Sequence, residues 1–100
     1  MNIITSDHVV LALQRALLGA VTPNIRAVTM TTRTDRVSVD VYYDGAPTTD
    51  DRESMAVVET ELIAALPEHF DVDFNLNRLD APLPVPKDQV WIYFRKEPQR

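Results

Sequence analysis

The chain has 100 residues, no cysteine, and 15 acidic against 10 basic residues, which gives a formal net charge of −5. This length predicts one domain over residues 1–100, and the missing cysteine excludes a disulfide scaffold, a zinc–thiolate site and a cysteine nucleophile. An acidic chain without a basic run is a poor partner for nucleic acid, and no apolar run approaches the roughly 20 residues that span a bilayer. Because the start also lacks a signal-peptide pattern, we expect a cytoplasmic protein that binds neither nucleic acid nor membrane.

Six elements are predicted, in the order α-β-β-α-β-β, at residues 6–20, 25–33, 36–43, 50–66, 70–78 and 89–95. The first helix is apolar nearly all round, because Leu11 and Leu18 lie off its main apolar stripe. It is therefore either deeply buried or has a second surface to cover. Asp50 and Glu53 predict a capping box at the start of the second helix, and Pro67 ends that helix.

The strands show two kinds of apolar pattern. Strict alternation over 36–43 and 70–78 predicts strands with one buried face. Residues 89–95 are apolar on both faces, which predicts either a central strand or a strand whose outer face has a role of its own. Residues 80–87 hold three alternating prolines, which favour a stiff connector over a peptide ligand for an aromatic groove.

These elements predict an α+β fold, a two-layer sandwich with a four-stranded sheet and both helices on one sheet face. The other face would then carry the candidate partner-binding residues Asp40, Tyr42, Asp73, Trp91 and Tyr93. Aromatic side chains dominate binding hot spots, and acidic neighbours steer a basic protein partner. The alternative is that Trp91 and Tyr93 pack under the proline-rich segment or against a second copy of the chain.

Other polar residues give weaker signals. Glu59 and Glu61 form an alternative acidic face on the second helix. His8 and His69 would be needed for acid–base chemistry, but both fall at helix ends, where solvated histidines are common. The carboxylates match no metal-binding loop and only two glycines are present, so we expect no catalytic residue, no metal and no cofactor.

Five blocks of sequence together carry a resemblance: PNIRAV at 23–28, YYDG at 42–45, ETELIA at 59–64, RLDAP at 78–82 and WIYFRKE at 91–97. In this order they resemble a family of small bacterial proteins of unassigned biochemistry. In size, charge and α+β make-up the chain also resembles the immunity proteins of contact-dependent inhibition and colicin-type toxins.

The resemblance implies a non-enzymatic protein that neutralises a cognate bacterial toxin, such as a basic nuclease domain, by direct binding. A monomer or a homodimer fits this role. Two other hypotheses stay open. One is a homodimeric structural or regulatory module that associates through its aromatic sheet face or its Leu11 and Leu18 stripe. The other is a small enzyme that uses His8 or His69 with carboxylates.

Overall fold

The computed structural model describes residues 6–87 and 89–97. This part of the chain forms the six predicted elements in the predicted order: α1 (Ser6–Ala16), β1 (Ile25–Arg33), β2 (Arg36–Tyr43), α2 (Thr49–Ala65), β3 (Asp71–Arg78) and β4 (Val90–Phe94). The bounds of β1 and β2 agree with the prediction at every end. The first helix ends four residues early, because hydrogen-bonded turns replace it from residue 17 onward.

The four strands form one sheet in the order β3-β2-β1-β4. Strand β1 runs antiparallel to β2 and β4, and β2 runs parallel to β3. The start of β1 therefore meets the ends of β2, β3 and β4 at one end of the sheet. The central-strand prediction for β4 is wrong, because β4 is an edge strand.

Both helices lie on one face of the sheet, which confirms the predicted two-layer sandwich. Leu13 of α1 and Met55, Val58 and Leu62 of α2 are at most 2% exposed. They share one cluster with sheet residues Val28, Met30, Val37, Val39, Val41 and Tyr43. Burying each such side chain contributes about 1.5–3 kcal/mol, so this cluster holds the two layers together.

A second, smaller cluster lies on the outer face of the sheet. Val85 of the proline-rich segment is 5% exposed and packs on Ala27 and Tyr42, with Leu79 and Trp91 beside them. The segment contains a cis peptide bond between Ala81 and Pro82. The packing of Val85 on Ala27 and Tyr42 places the segment over the outer face of the sheet. Strand β4 is apolar on both faces because the main core covers one and this cluster borders the other.

The start of α2 uses different capping residues from those predicted. The Thr48 hydroxyl accepts a hydrogen bond from the Asp51 N–H at 3.0 Å, and the Asp51 carboxylate accepts one from the Thr48 N–H at 2.8 Å. The prediction of Asp50 and Glu53 is wrong by two residues. Thr48 is in the extended conformation that an N-cap needs.

Tyr93 does not lie on the outer face, where alternation had placed it. Val28 pairs with Tyr93 and Thr29 pairs with Trp91, so a β-bulge at Ile92 gives β4 one extra residue. A bulge shifts the alternation by one position. Tyr93 therefore packs against the helix-side core, whereas Trp91 keeps its predicted place.

Candidate protein-binding face and the polar network at its end

Side chains on the outer sheet face form a row across all four strands. Trp91 of β4 pairs with Thr29 of β1, Thr29 with Asp40 of β2, and Asp40 with Asn75 of β3. Adjacent strands lie about 4.8 Å apart, so the backbones of Trp91 and Asp40 are about 10 Å apart. The structure therefore brings Trp91 and Asp40, two of the predicted binding residues, onto one surface.

The acidic half of this face lies on β2 and β3. Asp73 pairs in register with Ser38, and the Asp40 carboxylate accepts a hydrogen bond from the Asn77 amide at 3.3 Å. Arg36 lies 3.7 Å from Asp71 and 3.9 Å from Asp73, and all three side chains are more than half exposed. Ion pairs this exposed contribute little, so the carboxylates stay available to a partner.

The aromatic half of the face lies on β4. The rings of Trp91 and Phe94 meet with centroids 4.7 Å apart. Phe94 is 46% exposed and pairs with Ala27, which puts it on the same face as Trp91. Sequence alternation missed Phe94 for the same reason that it misplaced Tyr93, the bulge at Ile92. Tyr42 is 8% exposed and lies beneath Val85, so it supports this half rather than presenting itself to a partner.

The alternative acidic residues do not form one face. Glu61 is exposed and lines a groove between α1 and α2. Positions two apart on a helix are separated by roughly 200°, so Glu59 points away from that groove. The pair therefore offers two separate carboxylates instead of one acidic surface.

A buried arginine anchors the end of the sheet where the four strands meet. Arg26 is 2% exposed, and its guanidinium donates to both carboxylate oxygens of Glu97, at 2.7 and 2.9 Å. It also donates to the Leu79 carbonyl at 2.7 Å. The hydrogen bond from Arg26 is the largest cause that lowers the pKa of Glu97 to about 2. A bidentate, charge-assisted pair of this kind is among the strongest hydrogen-bonded contacts in proteins.

Arg95 extends the network from Glu97 to the loops. Its guanidinium donates to Glu97 at 2.8 Å, to Asp44 at 3.2 Å and to the Pro23 carbonyl at 2.9 Å. The acceptors come from the segments before β1, after β2 and after β4. The arginine thereby ties three chain segments to each other.

Asp80 fixes the start of the proline-rich segment in the same network. Its carboxylate accepts from the Gly45 N–H at 2.7 Å and from Arg78 at 3.0–3.3 Å. These hydrogen bonds, that from Arg78 first, lower the pKa of Asp80. Gly45 has a φ of 88°, a left-handed conformation that glycine adopts without strain.

Sequence reasoning named neither this network nor its role, although a signal was present. Its charged residues are Arg26, Asp44, Arg78, Asp80, Arg95 and Glu97. All six lie in four of the five sequence blocks that carry the family resemblance. The blocks therefore meet at one end of the sheet, where the network holds the proline-rich segment next to Trp91.

The two histidines lie beside different helices. His8 lies in the first turn of α1, and His69 follows α2 with its ring 5.1 Å from Phe70. Within residues 6–87 and 89–97 no three metal-ligating side chains come together. In the same part of the chain, neither helix has the length and apolar character to cross a bilayer.

Fold and surface together define a small two-layer α+β protein whose open sheet face combines acids with aromatic anchors. The chain belongs to the MafI2 immunity protein family, whose model matches residues 6–97. This confirms the predicted resemblance to immunity proteins, and the family implies a toxin as the cognate partner. No curated protein matches the chain.

Proposed function

We propose that this protein acts in the bacterial cytoplasm and neutralises a cognate toxin by binding to it directly. The family match over residues 6–97 carries the immunity role. Binding fits a surface that combines acidic and aromatic side chains. The outer sheet face is the proposed contact surface, with Asp40, Asp73 and Trp91 at its centre.

Charge supports a basic partner for this face. The chain carries a formal net charge of −5, and three aspartates, Asp40, Asp71 and Asp73, share the face with two arginines, Arg33 and Arg36. Complementary charge raises the association rate, and its effect weakens as added salt shortens the Debye length from about 8 Å at 0.15 M. A basic toxin domain, such as a nuclease, satisfies this requirement.

Trp91 supplies the aromatic anchor of the proposed contact. It is half-buried, and its ring is held against Phe94 and beside the Val85 cluster. A ring held in place before binding loses little side-chain entropy when the complex forms. Tyr42 lies below as support, and Tyr93 on the helix side belongs to a separate surface.

The test begins with identification of the toxin by cross-linking and capture from the source bacterium at about 0.15 M salt. The identified toxin is then expressed with or without this protein, and growth and the dissociation constant are measured. We expect the wild-type protein to restore growth. We expect Trp91→Ala to weaken binding by about 2 kcal/mol or more, and the double variant Asp40→Lys/Asp73→Lys to abolish protection.

A control variant distinguishes loss of the toxin contact from a change in the net charge of the protein. Glu68→Lys also reverses an exposed carboxylate but lies off the sheet, in the turn after α2. Full protection by the outer-face variants, with wild-type affinity, would assign toxin binding to another surface. Thermal denaturation of each variant shows that the fold is retained.

The enzyme alternative has its own variant. His8→Ala/His69→Ala leaves the outer sheet face untouched, so we expect wild-type protection from it. Loss of protection with toxin binding unchanged would instead show that the histidines act chemically.

A further inference from the structure

A continuous groove runs between α1 and α2. It consists of two adjoining cavities of about 400 and 260 Å³, which share Ala16 and Glu61 in their walls. Among residues 6–87 and 89–97, its lining comes from the two helices and the turn after α1. The groove therefore belongs to the helix layer and lies apart from the outer sheet face.

The groove is lined by both polar and apolar side chains, and three of the apolar ones are well exposed. Leu11 is 48% exposed, Leu18 81% and Val57 57%. The small residues in the lining are Ala12, Ala16, Gly19, Ala20 and Ala65. Small residues between larger apolar ones let another helix approach closely. The side chains of Leu11 and Leu18 therefore form an exposed apolar surface that the sheet does not cover.

Two charges of opposite sign stand in the same groove without pairing. Arg15 of α1 and Glu61 of α2 are both exposed and both line the larger cavity. In the part of the chain that the structure describes, neither forms an ion pair. One positive and one negative group on a single surface make that surface self-complementary under a two-fold axis.

We propose that the α1–α2 groove is the interface of a homodimer in which the helix layers of two copies face each other. In this arrangement Arg15 lies opposite the partner's Glu61, and the symmetry repeats the contact. Leu11, Leu18 and Val57 cover the small residues in the floor of the partner's groove.

The charges of the groove favour a second copy over the toxin as its occupant. A basic toxin gains nothing from a surface that carries Arg15 beside Glu61, whereas two copies satisfy both groups at once. The arrangement also leaves the outer sheet face of each copy open, on the far side of its sheet. Dimerisation is therefore compatible with the proposed toxin binding but does not depend on it.

The decisive experiment mixes two charge-reversal variants. In Arg15→Glu, four acidic groups face each other across the interface; in Glu61→Arg, four basic groups do. We expect each variant alone to have a dimer dissociation constant raised at least about tenfold, because two attractions become two repulsions. An equimolar mixture pairs every acid with a base, so we expect it to form a heterodimer as stable as the wild-type dimer.

Sedimentation velocity over a concentration series measures the constants, and native mass spectrometry with one tagged variant identifies the heterodimer. The mixture separates contacts between chains from contacts within one chain, since an internal Arg15–Glu61 pair would be restored only in the double variant. Arg33→Glu and Glu68→Arg make the same charge changes away from the groove. We expect neither to weaken the dimer, alone or mixed.

The apolar walls give a second measurement with its own control. Leu11→Ser removes an exposed apolar side chain from the groove, whereas Ile63→Ser removes one that is 50% exposed elsewhere on α2. We expect only Leu11→Ser to raise the dissociation constant. A wild-type protein that stays monomeric at about 100 µM, or a mixture with no heterodimer, overturns the proposal.

Discussion

The buried guanidinium of Arg26 forms a direct ion pair with the carboxylate of Glu97. We expect Glu97→Gln to lower the free energy of unfolding at pH 7 by about 3 kcal/mol, since it leaves a buried charge without its counterion. Asp73→Asn is the matched control, because its ion pair with Arg36 is exposed and spans 3.9 Å. It should change stability by less than about 0.5 kcal/mol. Urea denaturation measures both, and equal effects would contradict a structural role for the buried pair.

The hydroxyl of Tyr43 lies fully buried in the helix-side core and has no hydrogen-bond partner among the described residues. A buried hydroxyl without a partner costs about 1–3 kcal/mol. We therefore expect Tyr43→Phe to raise the free energy of unfolding by about 1 kcal/mol, with the fold unchanged.

Spectrophotometric titration tests the same environment in the wild-type protein. Burial, and to a smaller extent the nearby Asp51 carboxylate, raise the pKa of Tyr43 to about 12. One of the three tyrosines should therefore ionise about two pH units later than a free tyrosine, and the late step should disappear in Tyr43→Phe. A late step that persists in the variant would assign the delayed ionisation to another tyrosine.

The charged pairs that join distant segments could not be predicted from the sequence, because their members are far apart along the chain. Arg26 and Glu97 are 71 residues apart and Arg95 and Asp44 are 51 apart. Apolar periodicity reports only which face of an element is buried, so it cannot choose among ten basic and fifteen acidic residues. Trp91 and Asp40 could be placed because each needs only the alternation of its own strand.

The N-terminal cap is important to α2, because the last turn of this helix has no basic residue that would stabilise its C-terminus. We expect Thr48→Ala to lower the free energy of unfolding by about 1 kcal/mol, because it frees the Asp51 N–H and breaks the reciprocal pair. Thr60→Ala on the same helix is the control. Its hydroxyl bonds the Ala56 carbonyl on an exposed face, so its loss should be neutral or slightly stabilising. Circular dichroism during urea denaturation compares the two.

The type of each helix or strand and most of its bounds follow from local sequence patterns. The face on which a side chain lies and the residues that cap a helix depend on the assembled fold. The hairpin of β1 and β2 is fixed by alternation and a two-residue turn, both short-range features. The bulge in β4 could not be predicted from alternation. Residues Val90 to Phe94 are all apolar, so every register places apolar side chains on both faces. The cap of α2 moved from Asp50 to Thr48 because Asp51 is also held by the Asn24 amide, 27 residues away, at 3.0 Å.

The surfaces of the molecule differ in the charges that they carry. The outer sheet face is acidic on β2 and β3, the helix groove carries one charge of each sign, and the strand ends hold their charges in internal pairs. Of these three surfaces, the outer sheet face suits the proposed basic partner best, since paired or balanced charges produce little field.

The stability of the whole molecule should fall in acid through the carboxylates of its networks. Hydrogen bonds, that from Arg26 first, lower the pKa of Glu97 from 4.5 to about 2. Burial alone would raise the pKa of Asp51, but hydrogen bonds from Thr48 and Asn24 lower it overall. A carboxyl whose pKa is lower in the folded state stabilises the protein above its unfolded pKa and loses that contribution as it becomes protonated. Stability should therefore decrease as the pH falls from about 5 to 2.

The Glu97→Gln variant isolates the contribution of Glu97 to the pH dependence of stability. Its deficit relative to wild type should be about 3 kcal/mol at pH 7 and should shrink as the pH falls towards 2, where Glu97 of the wild type is itself about half protonated. Urea denaturation at a series of pH values measures this difference. Repulsion between positive charges in acid acts on both proteins, so it cancels in the difference. Glu68→Gln removes an exposed carboxylate and should keep the wild-type slope. A deficit that stays constant with pH would mean that the glutamine disturbs packing and that the charge of Glu97 contributes nothing.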